Sequence, residues 1–98
     1  MPGQRRASEV PLPGGNFQLF TTRLSFQAMI SLGILENPLT KTRRVDLASA
    51  RMLIEDLKML RDKTRGNLEE DEEAQLEKSV SDLEYALERL QNESAEAD

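Results

Sequence analysis

The sequence predicts an all-α protein with three helices at about residues 17–33, 46–65 and 68–91, the last two forming an antiparallel helical hairpin. Two observations lead to this prediction. Apolar residues recur at intervals of three and four along each segment, which is the spacing of one helix face. Three of the five glycines and three of the four prolines fall within the first 15 residues, outside all three segments.

The length of 98 residues allows at most one small domain. We expect residues 1–15 to form a disordered tail and residues 92–98 a frayed acidic C-terminus, because both ends have almost no aliphatic bulk. Residues 16–91 then form a single helical domain. The chain has no cysteine, so no disulfide can stabilise so small a core. Self-association is therefore an expected source of stability.

The first helix is predicted to begin at Asn16, a good N-cap residue, and to end at Gly33, shortly before Pro38. Its apolar residues lie on two opposed faces. A helix that is apolar around most of its circumference has to be covered around most of it. Two helices of the same chain cover one side, so the other side predicts a second copy or another protein. The predicted interface residues are Phe17, Leu19, Phe20, Leu24, Phe26 and Ile30.

The second helix is predicted to start at Asp46, whose carboxylate caps the first turn, and a turn at Gly66 and Asn67 leads into the third. The apolar seam of the third helix alternates in steps of four and three, as in coiled coils. Met52 and Met59 belong to a lesser stripe on the second helix and are predicted to fill gaps in the core. The predicted hairpin core consists of Leu47, Ala50, Leu53, Leu57, Leu76, Val80, Leu83 and Leu87.

The two seams also predict a register for the hairpin. If the chain reverses at Gly66, facing residues have numbers that sum to about 133, so Leu57 faces Leu76. The same register places Lys58 near Glu73 or Glu77, where opposite charges attract weakly. We expect the hydrophobic seam to decide the fold, because exposed ion pairs contribute little.

Charge is distributed unevenly along the chain. Residues 1–66 contain eleven Lys/Arg and six Asp/Glu, a balance of +5, whereas residues 67–98 contain two and twelve, a balance of −10. The acidic run Glu69–Glu73 falls in the first turns of the third helix, where the helix dipole favours negative charge. This asymmetry supports one alternative function, a regulatory adaptor that binds a basic protein surface through the acidic third helix as a nucleic-acid mimic.

The composition argues against catalysis. The chain has no cysteine and no histidine, so it lacks the common nucleophile, general base and zinc ligands. Neighbouring acids in the run Glu69–Glu73 point in different directions on a helix and do not converge on one cation. We therefore expect no catalytic residue, no cofactor and no metal site, and we do not expect an enzyme. Lys41, Arg43 and Arg44 form a small basic cluster just before the second helix. Its favoured interpretation is an exposed loop, and the alternative is a contact with nucleic acid or an acidic lipid surface.

The longest uncharged apolar stretch, residues 24–35, has twelve residues, whereas a membrane span needs about 20. The sequence therefore predicts a cytoplasmic protein. A further alternative places the first helix on a membrane surface, but Arg23 is the one cation within that helix. Neither a membrane nor nucleic acid is an expected partner, because the net charge is −5 and the chain has one tyrosine.

The segments FTTRLSFQAMISLGILENP and DLASARMLIEDLKMLRDKTRGNLEEDEEAQLEKSVSDLEYAL resemble a bacterial family of small helical proteins, the domain of unknown function numbered 1844. The resemblance extends from about residue 17 to residue 87. It implies a short, all-helical, cytoplasmic bacterial protein, and it implies no particular activity.

These observations lead to one main expectation for function. We expect a non-catalytic helical interaction or scaffold protein that self-associates through its first helix as a dimer or higher homo-oligomer. An unidentified protein partner on the same helix is the alternative occupant, because the sequence shows an uncovered apolar face without showing what covers it.

Overall fold

The computed structural model describes residues 15–97, which form three helices connected by two loops. The helices are α1 (Phe17–Ser31), α2 (Leu47–Lys63) and α3 (Glu70–Ala97). Within residues 15–97 the one pairing of extended backbone is an isolated bridge between Asn37 and Thr42. The predicted all-α class is confirmed. The predicted disorder of the N-terminal tail concerns residues that lie outside the described part of the chain.

Helix α1 begins and ends with the residues that its sequence indicates. The side chain of Asn16 accepts a hydrogen bond from the backbone N–H of Leu19 at 3.0 Å, which satisfies one free donor of the first turn. At the other end, Gly33 has a φ of +78° and Ile34 N–H donates to Met29 O at 2.9 Å. This is the Schellman arrangement that closes a helix at a left-handed glycine. The regular helix ends at Ser31, two residues before the predicted end.

Helix α1 buries its small and hydroxyl-bearing residues. Thr21 and Ser25 are 3% and 4% exposed, and Ala28 and Leu32 complete the buried face. The hydroxyl of Ser25 donates to Thr21 O at 2.9 Å, and the hydroxyl of Thr21 donates to Phe17 O at 3.1 Å. The buried hydroxyls are therefore satisfied within α1 itself, and the small side chains allow α1 to approach the other helices closely.

Helix α2 is capped by Asp46, as the sequence predicts. The Asp46 carboxylate accepts from the backbone N–H of Ser49 at 3.1 Å and from the Ser49 hydroxyl at 2.8 Å. The backbone N–H of Asp46 donates to Ser31 O at 2.7 Å, so the start of α2 is tied to the end of α1. The inner face of α2 buries Ala50, Leu53, Ile54 and Leu57.

Helix α3 starts later and ends later than the sequence predicts. Its first turn is closed by Glu72, whose carboxylate accepts from the backbone N–H of Glu69 at 2.9 Å, as the second half of a capping box does. The helix ends at Ala97, six residues beyond the predicted end near residue 91. The six additional residues, NESAEA, contain no glycine or proline, so nothing in them terminates a helix.

The predicted register of α2 against α3 is wrong by about two turns. Lys58 pairs with Glu84 at 3.0 Å and Arg61 pairs with Glu77 at 3.6 Å, so the paired residue numbers sum to 142 and 138. The predicted pairing of Lys58 with Glu73 or Glu77 is not found in the structure. The first turns of α3 lie instead beside α1, where Gln75 Nε2 donates to Thr22 Oγ1 at 3.0 Å. The prediction placed the end of α2 beside these turns of α3. In the structure, α1 lies there instead.

The core lies where the three helices meet, and all three pairs of helices are in contact. Six of the eight predicted hairpin-core residues are buried, while Leu47 and Leu87 are half-buried. Met52 and Met59 are 57% and 46% exposed, so the prediction that they fill the core is wrong. They lie on the side of α2 opposite its buried seam. The core consists of Ala28, Leu32, Ala50, Leu53, Ile54, Leu57, Leu76, Val80 and Leu83.

Candidate interaction surfaces

The outer face of α1 is apolar apart from one arginine. Leu19, Arg23, Phe26 and Ile30 follow one another at intervals of four, three and four, directly opposite the buried face. We call these four residues the outer stripe of α1. Phe26 is 51% exposed, although Thr21 on the inner face is almost fully buried. The helix therefore presents a phenylalanine to solvent and a threonine to the core, the reverse of the usual arrangement in a globular protein.

The structure divides the six predicted interface residues into two groups. Phe17 and Leu24 pack against the core of the same chain. Phe20 is 41% exposed at the border between the inner and outer faces, and the remaining three residues belong to the outer stripe. The surface left for a partner is therefore narrower than predicted. It consists of Leu19, Phe20, Phe26 and Ile30.

A groove of about 600 Å³ runs beside the outer stripe. Its apolar floor is formed by α1 and by the loop that follows it, which folds back along the helix. The charged residues that line the groove are Arg23, from the middle of α1, and Glu36 and Arg43, from the loop. The apolar lining residues are Phe26, Ile30, Leu35 and Pro38.

The loop of residues 34–46 has a fixed internal structure. Asn37 N–H donates to Thr42 O at 2.8 Å, and Lys41 N–H donates to Asn37 O at 2.8 Å. The side-chain oxygen of Asn37 accepts from Leu39 N–H at 2.8 Å. A second pocket of about 1000 Å³ is lined by residues that include Thr40 and Arg44.

The family model for DUF1844, described as a domain of unknown function, matches residues 15–89. The chain belongs to this family. The resemblance noted in the sequence is thereby confirmed, and the match includes α1, the structured loop, α2 and most of α3. No curated protein and no solved structure matches the chain.

In this DUF1844 protein the acidic residues of α3 face partners on α2 along part of its length. Glu84 and Glu77 form ion pairs with Lys58 and Arg61, and Glu72 caps its own helix. The hydrogen bond from Lys58 to Glu84 raises the pKa of Lys58 above its usual value of 10.5. Two pairs of opposite charges therefore join α2 and α3 within the chain.

Over residues 15–97 the structure contains no group of three Asp or Glu side chains arranged to hold a metal ion. No helix in the same part of the chain is both long enough and apolar enough to cross a membrane. The described residues present an apolar helix face with its groove, and a structured loop. Sequence reasoning identified the helix face but missed the apolar residues of the loop, whose only signal is the turn-forming pair Asn37–Pro38.

Proposed function

We propose that this DUF1844 protein is a non-catalytic helical interaction protein that self-associates through the outer stripe of α1. The observation that supports the proposal is the half-exposed side chain of Phe26 on the face opposite the core. Covering the exposed half of such a side chain gains about 0.8–1.5 kcal/mol, half of the value for complete burial, and a second copy of the helix supplies that cover. The nine buried apolar residues of the described domain form a small core, so its free energy of unfolding is expected to be small.

The spacing of the outer stripe suits helix-to-helix packing. Its intervals of four, three and four residues are those of the seam of a coiled coil, so two copies of α1 can interdigitate along it. We therefore propose a short coiled-coil contact between two α1 helices. A closed dimer of this kind presents the same surface on both copies, related by a two-fold axis.

The charges beside the groove also fit a two-fold contact. When two α1 helices pack antiparallel about Phe26, Arg23 of each copy approaches the loop end of the other copy's groove, where Glu36 lies. Within the described residues, no ion pair inside the same chain occupies Arg23 or Glu36. Opposite charges at the two sides of an apolar groove give such a pair of copies electrostatic complementarity.

The test compares two substitutions that place the same carboxylate on different surfaces. Phe26→Asp charges the outer stripe, and Tyr85→Asp charges an exposed residue of α3 that is 64% exposed. We expect the wild type and Tyr85→Asp to have the mass of a dimer or higher oligomer by light scattering at micromolar concentration, and Phe26→Asp to have the mass of one chain. Circular dichroism checks that both variants stay helical. A wild type that is a stable monomer of 11.1 kDa contradicts the proposal.

We further propose that the protein works in the cytoplasm of a bacterial cell. The proposal follows from the absence of cysteine in the chain, which fits a reducing compartment, and from the family resemblance. Fractionation of cells that express a tagged full-length chain tests this location. Recovery of the protein outside the cytoplasmic membrane rejects it.

A further inference from the structure

The loop of residues 34–46 concentrates exposed apolar surface. The described part of the chain has nine large apolar side chains that are exposed, and four of them belong to this loop. Leu39 is the extreme case, because 90% of its surface is open to water. Single exposed leucines are common, but four exposed aliphatic residues within twelve positions are a local concentration of apolar surface. The four residues are Ile34, Leu35, Leu39 and Val45.

The tip of the loop is held in one conformation. The Asn37 side chain accepts from the N–H groups of both Leu39 and Thr40, at 2.8 Å and 3.4 Å. The hydroxyls of Thr40 and Thr42 share a hydrogen bond of 2.8 Å across the turn. Lys41 takes up the left-handed conformation, with a φ of +61°, that closes the turn. Leu39 is therefore displayed by a preorganised turn, so little conformational entropy is lost when it binds something.

Three cationic residues follow this apolar tip along the chain. Lys41, Arg43 and Arg44 are all exposed. Arg43 lines the groove beside α1, and Arg44 lines the second pocket. The acids of the same loop are Glu36 and Asp46, so its three cations leave the loop with a net charge of +1. The loop is thus locally positive on a protein with a net charge of −5.

We propose that the loop of residues 34–46 docks on an anionic membrane surface. In this arrangement Leu39 enters the boundary between headgroups and acyl chains, and Lys41, Arg43 and Arg44 bind lipid phosphates around it. Each cation near an anionic leaflet contributes to binding, and an aliphatic side chain gains by leaving water for hydrocarbon. From the sequence, the first helix has too little positive charge for such a surface. The fold changes this, because it places the loop cations beside α1.

An anionic bilayer fits the loop better than the other polyanions do. Proteins that bind single-stranded nucleic acid stack bases on aromatic side chains, and the loop tip is aliphatic. An acidic protein partner would need a cavity that matches one projecting leucine. A bilayer accepts a projecting leucine without a preformed cavity, and its headgroups supply phosphate on all sides of the tip.

The inference does not depend on self-association. Leu39, Lys41 and Arg44 do not line the groove beside the outer stripe of α1, whereas Arg43 does. Leu39→Asp therefore leaves the groove unchanged, and light scattering on this variant is expected to show the same mass as the wild type. Loss of vesicle binding with an unchanged mass therefore separates a failure of the loop from a failure of the dimer.

The test uses the full chain and two kinds of vesicle, phosphatidylcholine alone and phosphatidylcholine with phosphatidylglycerol. The loop variant is the triple substitution Lys41→Glu, Arg43→Glu and Arg44→Glu. Its matched control is Lys63→Glu, Lys78→Glu and Arg89→Glu, which changes the net charge equally at exposed positions away from the loop. Leu39→Asp tests the apolar tip alone.

We expect the wild type and the control to float with the anionic vesicles and not with the neutral ones. The loop variant should bind at least about 100-fold more weakly, because three favourable charge contacts are lost and replaced by repulsion. Leu39→Asp should also reduce binding, and it decides the question if the triple variant does not fold.

Three results overturn the proposal. They are a wild type that stays with the unbound fraction, flotation that is equal with neutral vesicles, and a control that loses binding as much as the loop variant does. Loop-dependent binding to single-stranded nucleic acid or to poly-glutamate, without vesicle binding, also overturns it in favour of that other polyanion.

Discussion

Lys58 Nζ lies 3.0 Å from Glu84 Oε2, and this contact shows how far α3 is displaced along α2 from the predicted register. Lys58 is near the C-terminal end of α2, whereas Glu84 is four turns into α3. The N-terminal turns of α3 therefore extend past the end of α2 and reach α1, where Gln75 donates a hydrogen bond to Thr22. The offset is what allows α3 to contact both other helices.

The first prediction is that exchanging these two charges leaves the stability of the fold nearly unchanged. Reversing the charge of Lys58 alone should lower that stability. Lys58→Glu places a carboxylate beside Glu84 and Glu55 and should lower the urea midpoint of unfolding. The double variant Lys58→Glu/Glu84→Lys should recover most of the loss. Lys63→Glu, at an exposed position without an ion pair across to α3 in the described residues, is the control and should change the midpoint less. Equal effects of Lys58→Glu and Lys63→Glu would show that the contact does not fix the offset.

The same pair predicts a dependence of stability on pH. The hydrogen bond to Glu84 raises the pKa of Lys58 above 10.5 in the folded state. The stability that this shift contributes is complete below pH 10.5 and is lost as the pH rises through the higher, folded-state pKa. The difference in stability between the wild type and Lys58→Met should therefore be constant at neutral pH and shrink in strong alkali. Urea titrations at several pH values measure it.

The capping residues at both ends of α1 and at the start of α2 could be predicted from the sequence, because each depends on local chemistry. Asn16, Gly33 and Asp46 occupy cap positions for reasons that a few neighbouring residues determine. The register of α3 could not be predicted in the same way. Its seam repeats every seven residues, so a shift from a sum of 133 to one near 140 again places apolar residues opposite apolar residues. Only the position of α1 distinguishes the two registers.

The candidate surfaces were predictable in part. The two opposed apolar faces of α1 are visible in the sequence, but hydropathy favours burying Phe20 rather than Ser25. Close approach of the helices reverses that order, because Ser25 and Ala28 are small enough to lie between packed backbones. The exposure of Leu39 could not be predicted, since it results from the turn that Asn37 closes through its side chain.

A second prediction concerns Gly33. A methyl group at this position would lie 2.9 Å from Cγ2 of Val45, and the φ of +78° disfavours any residue with a Cβ atom. Gly33→Ala should therefore cost more than about 1–2 kcal/mol in the free energy of unfolding. Gly66→Ala is the matched control, because Gly66 also has a positive φ but has open space around it. In the Gly33→Ala background, Val45→Ala should recover the excess. The same loss for both glycine variants would rule out the steric contribution of Val45.

A third prediction separates the two faces of α2. Leu57 is completely buried, whereas Met59 is 46% exposed on the opposite side. Leu57→Ala should cost about 3 kcal/mol in the free energy of unfolding, because it removes buried apolar surface and leaves a cavity. Met59→Ala should change that free energy by less than about 0.5 kcal/mol. Chemical denaturation of both variants measures the difference, and comparable losses would mean that Met59 is covered in solution.

A fourth prediction uses the cap of α2. The hydrogen bond from the Ser49 hydroxyl is the main reason that the pKa of Asp46 lies below its usual value of 3.8. A lowered carboxylate pKa contributes stability above pH 3.8, and that contribution is lost as the pH falls through the folded-state value. Asp46→Asn keeps a capping side chain but does not titrate. The wild type should therefore be the more stable at pH 7, and the difference should vanish in strong acid. Ser49→Ala should reduce the difference, and a difference that persists in acid would contradict the assignment.

The last prediction concerns the proposed dimer. In an antiparallel two-fold contact about Phe26, Arg23 of one copy lies near Glu36 of the other. Arg23→Glu and Glu36→Arg should each weaken self-association, because each brings like charges together beside the groove.

The double variant Arg23→Glu/Glu36→Arg should restore self-association, since it exchanges the two charges without changing the net charge. Analytical ultracentrifugation over a range of protein and salt concentrations measures the dissociation constants. The effect of the single variants should diminish in high salt, because these side chains are exposed. Two single variants that weaken the dimer without recovery in the double variant would favour a parallel arrangement, in which Arg23 of one copy faces Arg23 of the other.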